Sequence, residues 1–190
     1  MESSYYQTTF ASSDFRKQDL SKVEFEDCVF TQCDFTEANI SEAIFIDFTF
    51  NHCDFSQVIT KKCALRNVTF GYCKLLGFRF DDCNTFSLEV SFENCNLTYA
   101  SFFGLSLKGT TFKQCKLEEV AFIKADLTNV VFENCNLLLA AFNQTNLSNA
   151  DFTSSENYSF DPTLNNITNA NFSAQRVLGL LSHHNIHIIP

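Results

Sequence analysis

The chain has 190 residues, of which 45% are hydrophobic, and its formal net charge at pH 7 is −9. This length predicts one domain or one continuous array, and the acidic balance argues against direct binding of nucleic acid. No stretch approaches the roughly 18 apolar residues of a membrane-spanning helix. The opening MESSYYQTTF lacks the basic and apolar regions of a signal peptide. We therefore expect a cytoplasmic protein that does not associate with membranes.

A large apolar residue returns at every fifth position, which we call the central position of each repeat. This period matches neither the helix, at about 3.6 residues per turn, nor the two-residue alternation of a strand. It requires a chain that turns a corner every few residues and stacks on itself. In the first part of the chain the central residues are Phe10, Phe15, Leu20, Phe25, Phe30, Phe35, Ile40, Phe45, Phe50, Phe55, Leu65, Phe70, Leu75 and Phe80.

In the second part the central residues alternate between Phe and Leu, so that residues twenty apart are of one type. Four steps of five residues therefore form a coil of twenty, and adjacent coils are predicted to pair through backbone hydrogen bonds at about 4.8 Å. The nine cysteines lie two residues before a central position, where Ala and Val also occur. We interpret them as small buried apolar residues, not as disulfides or zinc ligands.

The repeat reads as a small residue, often Asp or Asn, then Leu or Phe, then two polar residues. Clear copies are Cys-Asp-Phe-Ser-Gln at 53–57, Ala-Asp-Leu-Thr-Asn at 125–129 and Ala-Asp-Phe-Thr-Ser at 150–154. The pattern resembles the pentapeptide-repeat family. This resemblance implies an all-β fold, a right-handed quadrilateral parallel β-helix, over residues 8–172, with residues 1–7 as a lead-in.

Two interruptions are expected within the array. The phase slips over residues 81–91, which requires two extra residues at one corner and is predicted to displace Phe86 and Leu88 outward. Residues 153–164 are predicted to be irregular. Asp161 followed by Pro162 has the form of an N-cap with proline at the first helical position, which predicts a short helical turn.

Residues 173–190 are predicted to form a short C-terminal helix, with Ser173 as its N-cap, and a short strand. The exposed end of a solenoid invites association. One interpretation is a simple cap; the favoured one is an end-to-end homodimer, because the aliphatic residues exceed what one small end requires. The predicted dimer interface consists of Val177, Leu178, Leu180, Leu181, Ile186 and Ile188.

The sequence contains no nucleophile elbow, phosphate-binding glycine loop or metalloprotease helix. We therefore expect no enzymatic activity, no cofactor and no metal site. Asp14, Asp34 and Asp54 lie twenty residues apart, and we interpret them as side chains that bond the backbone of turns.

An outward-facing apolar strip is predicted on the second half of the array. Phe103 and Ile123 are expected to stack in one column, and Tyr99 and Leu139 in another that Glu119 interrupts. Such a strip could contact the C-terminal segment or a partner protein.

Charge divides the chain into three zones. Residues 19–60 carry nine acids against one base, residues 61–116 carry eight bases against four acids, and residues 117–175 carry seven acids against one base. The N-terminal residues 14–21 and 28–35, and the tail from Asp161 onwards, resemble the Qnr-type quinolone-resistance members of the pentapeptide-repeat family, of the kind without projecting loops.

This resemblance implies a homodimeric, non-catalytic DNA mimic. Its partner would be a type II topoisomerase, DNA gyrase or topoisomerase IV, which it would protect from quinolones or toxins. The alternative is a generic protein–protein interaction scaffold of unknown partner, acting through the apolar strip or the basic zone. The acids predicted to face the topoisomerase are Glu118, Glu119, Asp126, Glu133 and Asp151.

Overall fold

A computed structural model describes residues 4–184 and 186–187. In this part of the chain, nine short parallel strands form one hydrogen-bonded sheet. Most pairs link residues twenty apart, as in Phe30 with Phe50, which confirms the twenty-residue coil and the predicted all-β solenoid. The strands are β1 (Ser4–Tyr6), β2 (Thr9–Ala11), β3 (Glu24–Glu26), β4 (Val29–Thr31), β5 (Ile44–Asn51), β6 (Ala64–Gly71), β7 (Val90–Glu93), β8 (Thr111–Lys113) and β9 (Val131–Glu133).

Each coil has four faces, and single backbone bridges complete the ladders between strands. We number the faces in chain order, so that β1 opens the first face and β2 the second. Bridges Asp14 to Asp34 and Asp19 to Asn39 begin the third and fourth faces. A side chain therefore lies beside the residue about twenty positions away, and surface neighbours can be read from the register.

The core is built from stacked rings. On the second face, ring centroids of successive phenylalanines lie 5.4 Å apart at Phe30–Phe50 and 5.1 Å apart at Phe92–Phe112, with planes nearly parallel. Aromatic stacking adds to the burial of each ring. This column continues through both halves of the molecule: Phe10, Phe30, Phe50, Phe70, Phe92, Phe112, Phe132, Phe152 and Phe172.

A second aromatic column changes face midway. Rings stack on the third face as far as Phe55, and they resume on the fourth face from Phe80. At the change, the central position of the fourth face holds Thr60, whose hydroxyl donates to the Arg79 carbonyl at 3.0 Å. Phe78, two positions before Phe80, packs beside Phe80 with centroids 4.2 Å apart. Its ring supplies the volume that threonine does not.

The small position of the third face holds a column of cysteines whose thiols bond the backbone. Cys53 Sγ donates to the Phe30 carbonyl at 3.5 Å. Ser155 Oγ makes the equivalent bond to the Phe132 carbonyl at 2.6 Å. The cysteines are buried and form no disulfide. They are thus small core residues, as predicted, but they also satisfy carbonyl groups at the corners.

The phase slip lies between two bridged residues. Asn84 still pairs with Ala64, twenty residues earlier, whereas Val90 pairs with Val68, twenty-two earlier. The two extra residues therefore fall after Asn84. Phe86 is displaced outward, with 75% of its surface exposed. The prediction that Leu88 is displaced outward is wrong, because this residue is half-buried and packs against the core.

The ladder begins earlier than the boundary predicted at residue 8. Within the predicted lead-in, β1 pairs in register with β3, because Tyr5 occupies the central position and stacks on Phe25 at 5.3 Å. The irregular segment also begins later than residue 153. Ser155 is fully buried, and Glu156 bridges to Asn136.

The C-terminal segment departs from the predicted helix and strand. It forms two 3-10 helices, Val177–Leu180 and Ser182–His184, and residues 186–187 are not in a strand. The predicted helical turn after Asp161 is present as the 3-10 helix Pro162–Leu164, and Asp161 accepts from the Thr163 amide at 2.8 Å.

Candidate interaction surfaces

The outer surface follows from how each corner is made. The residue two positions after most central residues has a positive φ, as in Glu119 (54°) and Leu139 (58°). The residue before the central one often bonds the turn that follows, as Asp151 Oδ1 does with the Thr153 amide at 2.8 Å. Three positions in five face outward, and they carry the predicted topoisomerase-facing acids and the predicted apolar strip.

The aspartates that precede central residues have the structural role predicted for them. Asp54 Oδ1 accepts from the Ser56 amide at 3.0 Å. Asp14 pairs with Arg16 at 2.6 Å, and this hydrogen bond lowers the pKa of Asp14 to about 2. These carboxylates hold turns.

Asp126 is neutralised by neighbouring side chains. Its carboxylate accepts from the Thr128 hydroxyl at 2.6 Å and the Asn146 amide at 3.2 Å, and Lys108 Nζ lies 3.1 Å away. Partial burial opposes ionisation, but these hydrogen bonds outweigh it and lower the pKa of Asp126. A carboxylate with this many partners is a poor contact for another protein.

Glu118 is neutralised in the same way. Lys116 Nζ lies 2.9 Å from one carboxylate oxygen, and the Asn136 amide donates to the other at 2.9 Å. The carboxyl side chain is 24% exposed. Glu118 and Asp126 are thus the two members of the predicted acid set whose charge is balanced locally.

The other three predicted acids form no ion pair with any described residue. Glu119 is exposed at the corner after the third face, where its hydrogen bond and charge raise the pKa of Tyr99. Glu133 lies beside Lys113, which pairs with Glu93 at 2.9 Å. Asp151 is half-buried next to β9 on the second face.

The five predicted acids do not share one face. Glu133 and Asp151 lie on the second face, Glu118 on the third, Glu119 at its outer corner, and Asp126 on the first face. The second and third faces are neighbours, so the structure groups four of the five.

Glu156 is an acid that the sequence prediction missed. It is exposed, lies on the third face beside Asn136, and forms no ion pair with described residues. It was missed because residues 153–164 were predicted to be irregular; the small Ser155 before it was the available signal. We call Glu119, Glu133, Asp151 and Glu156 the acidic surface.

The predicted apolar strip is present at the surface. Tyr99 is 60% exposed, Phe103 46% and Leu139 67%, while Ile123 is half-buried. Lys124 Nζ lies over the Phe103 ring at 5.6 Å. Of these four residues, Ile123 also lines a groove with Ala141 and Leu164.

The residues predicted for the dimer interface fall into two groups. Leu180 is 7% exposed and belongs to the core, where it closes the stack; Val177 is half-buried. Leu178, Leu181 and Ile186 remain exposed. Ile188 lies outside the described residues.

The end cap is tightly packed. A Cβ added at Gly179 would lie 2.0 Å from the Tyr158 carbonyl oxygen, so only glycine fits there. Tyr158 is 3% exposed, and its hydroxyl has no hydrogen-bond partner among the described residues. Burial raises the pKa of Tyr158.

Most bases of the central zone are paired within the molecule. The ion pairs join Lys74 to Asp54, Arg79 to Asp81, Lys108 to Asp126, Lys113 to Glu93 and Lys116 to Glu118.

Among the described residues, no group of three or more His, Cys, Asp or Glu is arranged to hold a metal ion. The same part of the chain has no helix with the length and apolar character needed to span a membrane.

Two family models match the sequence. One describes a pentapeptide repeat region and matches residues 43–122. The other describes pentapeptide repeats in eight copies and matches residues 10–45, 19–57 and 115–154. No curated protein matches at a significant level.

Several solved structures are similar. A trypsin-treated variant of QnrB1, a plasmid-mediated fluoroquinolone resistance protein, aligns with a TM-score of 0.52 at 19% identity, covering 98% of this chain and 100% of that chain. A second trypsin-treated QnrB1 variant gives 0.49 at 24% identity over 98% and 90% of the two chains. HetL, a pentapeptide repeat protein of the cyanobacterium Nostoc involved in regulating heterocyst differentiation, gives 0.32 at 15% identity over 90% and 86%.

The two family models together cover residues 10–154 without a gap, and the first of these structures has the same fold. The repeat, the four-faced coil and these matches agree. The chain belongs to the pentapeptide-repeat family.

Proposed function

We propose that this protein is a non-catalytic binder of a type II topoisomerase, such as DNA gyrase, and that it occupies the surface on which the enzyme holds DNA. The observation that carries the proposal is the acidic surface. Its four carboxylates lie on adjacent faces of the solenoid, and they have no ion-pair partner among the described residues. An enzyme surface that binds phosphates presents cations suited to such groups.

The fold supports the same proposal. QnrB1, whose trypsin-treated variant shares the fold, is a fluoroquinolone resistance protein, and the N-terminal repeats and tail of this chain resemble that group. The protein would protect the topoisomerase from quinolones or from toxins that act on the same complex.

The proposed imitation of DNA depends on where the carboxylates lie more than on how closely charges follow one another along the axis. Duplex DNA carries one charge per about 1.7 Å of axis, whereas coils repeat at about 4.8 Å. Since Glu118 and Asp126 are neutralised by lysines, binding must depend on the remaining carboxylates. Glu119, Asp151 and Glu156 are the residues we assign the largest share.

A titration with gyrase and duplex DNA tests the proposal. We expect the protein to reduce the gel-shifted DNA complex and to alter supercoiling or its inhibition by a quinolone at micromolar concentration. If none of these three readouts changes, the proposal is wrong.

We also propose that the protein forms a homodimer through its C-terminal end. Leu178, Leu181 and Ile186 remain exposed after Leu180 has closed the stack. Such aliphatic surface at a solenoid end favours a two-fold contact. Sedimentation should show a dimer that the double variant Leu178→Glu, Leu181→Glu converts to a folded monomer; an unchanged mass would exclude this interface.

A scaffold for another protein is the second candidate function. The exposure of Tyr99, Phe103 and Leu139 favours it, because contiguous apolar surface marks interaction sites. Two variants separate the candidates. Charge reversal at Asp151 and Glu156 should abolish topoisomerase binding and leave scaffold binding intact, whereas Phe103→Ser with Leu139→Ser should do the opposite.

A further inference from the structure

Two thiols face each other at the edge of the phase slip. Cys63 and Cys83 occupy the same small position in successive coils, and their Sγ atoms lie 3.0 Å apart. Both are buried, with exposures of 0% and 6%. Ala64 and Asn84, the next residues, form a parallel bridge, so the two backbones run side by side.

This pair differs from the cysteine column of the third face. There each thiol is directed at carbonyl groups, as Cys73 is toward the Phe50 carbonyl at 3.4 Å. Cys63 has no such acceptor among the described residues; its one polar partner is the sulfur of Cys83. Hydrogen bonds also link successive third-face thiols, as between Cys73 and Cys53, and Cys83 also donates to the Arg79 carbonyl at 3.5 Å. The Cys63–Cys83 pair is set apart by the short contact between its sulfurs and by Cys63, which has no backbone acceptor among the described residues.

The pair also lies beside a break in the bridges of the first face. Ser106, the next residue of the first face, bridges forward to Asp126, but no bridge joins it to the preceding coil in the described chain. Residues 84–87 are exposed, and a groove of about 670 Å³ is lined by Lys62 and Asp82, which immediately precede the two cysteines. Local opening should require least free energy here.

We propose that Cys63 and Cys83 are the site of a reversible disulfide formed by hydrogen peroxide. One thiolate attacks a peroxide oxygen, which gives a sulfenic acid and releases water. The second thiol attacks that sulfur, forming the S–S bond and releasing a second water. Two thiols are oxidised, one peroxide is reduced, and both thiol protons leave in water. A dithiol reductant reverses the bond by exchange.

The spacing suits this bond. Disulfides join Cα atoms about 4.4–6.8 Å apart, and neighbouring strands lie about 4.8 Å apart. The hydrogen bond with Cys63 and burial raise the pKa of Cys83. The buried thiol therefore stays protonated, and the thiolate forms when the site opens to solvent. Reaction should thus be slower than that of an exposed thiol. The bond would tie the two coils together at the slip.

Peptide mapping of the full chain tests the proposal. The reduced protein is treated with hydrogen peroxide, alkylated and digested. Before alkylation, we expect the intact mass to fall by the mass of two hydrogen atoms. After digestion, we expect the disulfide-linked peptides to contain Cys63 and Cys83. Absence of a disulfide, or a disulfide within the third-face column, would overturn it.

Matched variants separate this pair from the others. Cys63→Ala should fold, because Ala43 and Ala125 occupy the same position in other coils, and it should lose the disulfide. Cys53→Ala, in the third-face column, should keep it. Oxidation should raise the thermal midpoint of the parent and of Cys53→Ala by several degrees. Persistence of the shift in Cys63→Ala would contradict the proposal.

Discussion

The two halves of the solenoid have similar cross-sections but fill them differently. Before the face change, phenylalanines occupy the first three faces and an aliphatic residue such as Ile40 the fourth. After it, phenylalanines occupy the second and fourth faces and leucines such as Leu117 and Leu137 the third. The backbone thus accepts several arrangements of rings, provided that each coil is filled.

The balance of surface charge also changes along the solenoid. In the middle of the chain, charges are largely balanced in ion pairs such as Lys74–Asp54, whereas six of the nine acids in residues 19–60 form no ion pair with a described residue. Toward the C-terminus, carboxylates such as Glu119 and Glu156 have no ion-pair partner among the described residues. The comparison teaches that the core specifies the scaffold, whereas the positions between central residues specify what it can bind.

The largest expected effect tests the filling of the fourth face. Phe122 stacks between Phe102 and Phe142 at 5.3 and 5.2 Å and is fully buried. Phe122→Ala should lower the free energy of unfolding by about 3–5 kcal/mol. Thr60→Ala, at the equivalent position of the other half, should cost about 0.5–1.5 kcal/mol through its lost hydrogen bond. Urea unfolding measures both, and equal losses would show that the halves are filled alike.

The next effect concerns the cap that only the C-terminal end carries. Gly179→Ala would force the 3-10 helix away from Tyr158 and should destabilise the protein by about 1–3 kcal/mol. Gly71→Ala is the control, because its nearest neighbour would lie 3.5 Å away. Thermal unfolding compares them; a neutral Gly179→Ala would contradict the packing described here.

A smaller effect tests the backbone bonds of the third face. Ser155→Ala removes the bond to the Phe132 carbonyl and should cost about 0.5–1.5 kcal/mol. Ser155→Cys should retain most of the stability, because cysteine makes this bond elsewhere in the column. If the two variants unfold at the same urea concentration, the thiol–carbonyl bonds do not contribute.

The smallest effect concerns the pH dependence of Asp126. Its pKa is lowered in the folded state, whereas the pKa of an aspartate in the unfolded chain is about 3.9. Its contribution to stability is therefore full above that value and is lost as the pH falls toward the folded pKa. The stability difference between the parent and Asp126→Asn, below about 1 kcal/mol for an ion pair this exposed, should shrink from pH 7 to pH 3. A constant difference would contradict the assigned contacts.

The scaffold was predictable because its signal is repeated many times. Central residues such as Phe112 report the coil, and register then follows from the period. The slip was located only to within residues 81–91, because the sequence does not reveal that Asn84 keeps the old register. The 3-10 form of the cap depends on a single close approach, that of Gly179 to Tyr158.

The candidate site was less predictable. The number of acids predicted that the site lies in the C-terminal zone. It did not predict that Lys108 and Lys116, from the basic zone, neutralise Asp126 and Glu118. These pairs join residues of different coils or neighbouring outward positions, which a count of charges does not separate. Glu156 was not predicted as a site residue, because it lies in residues 153–164, which were predicted to be irregular.

The central claim is that the acidic surface competes with DNA for a topoisomerase. Displacement of labelled duplex DNA from gyrase tests it most directly, with two triple variants of equal charge change. Glu119→Lys, Asp151→Lys, Glu156→Lys should lose displacement by at least tenfold; lysine already occupies the same kinds of position at Lys124 and Lys116. Glu24→Lys, Glu26→Lys, Glu42→Lys, in the other half, should displace DNA nearly as well as the parent. Equal loss in both variants, or none in the first, would contradict the claim.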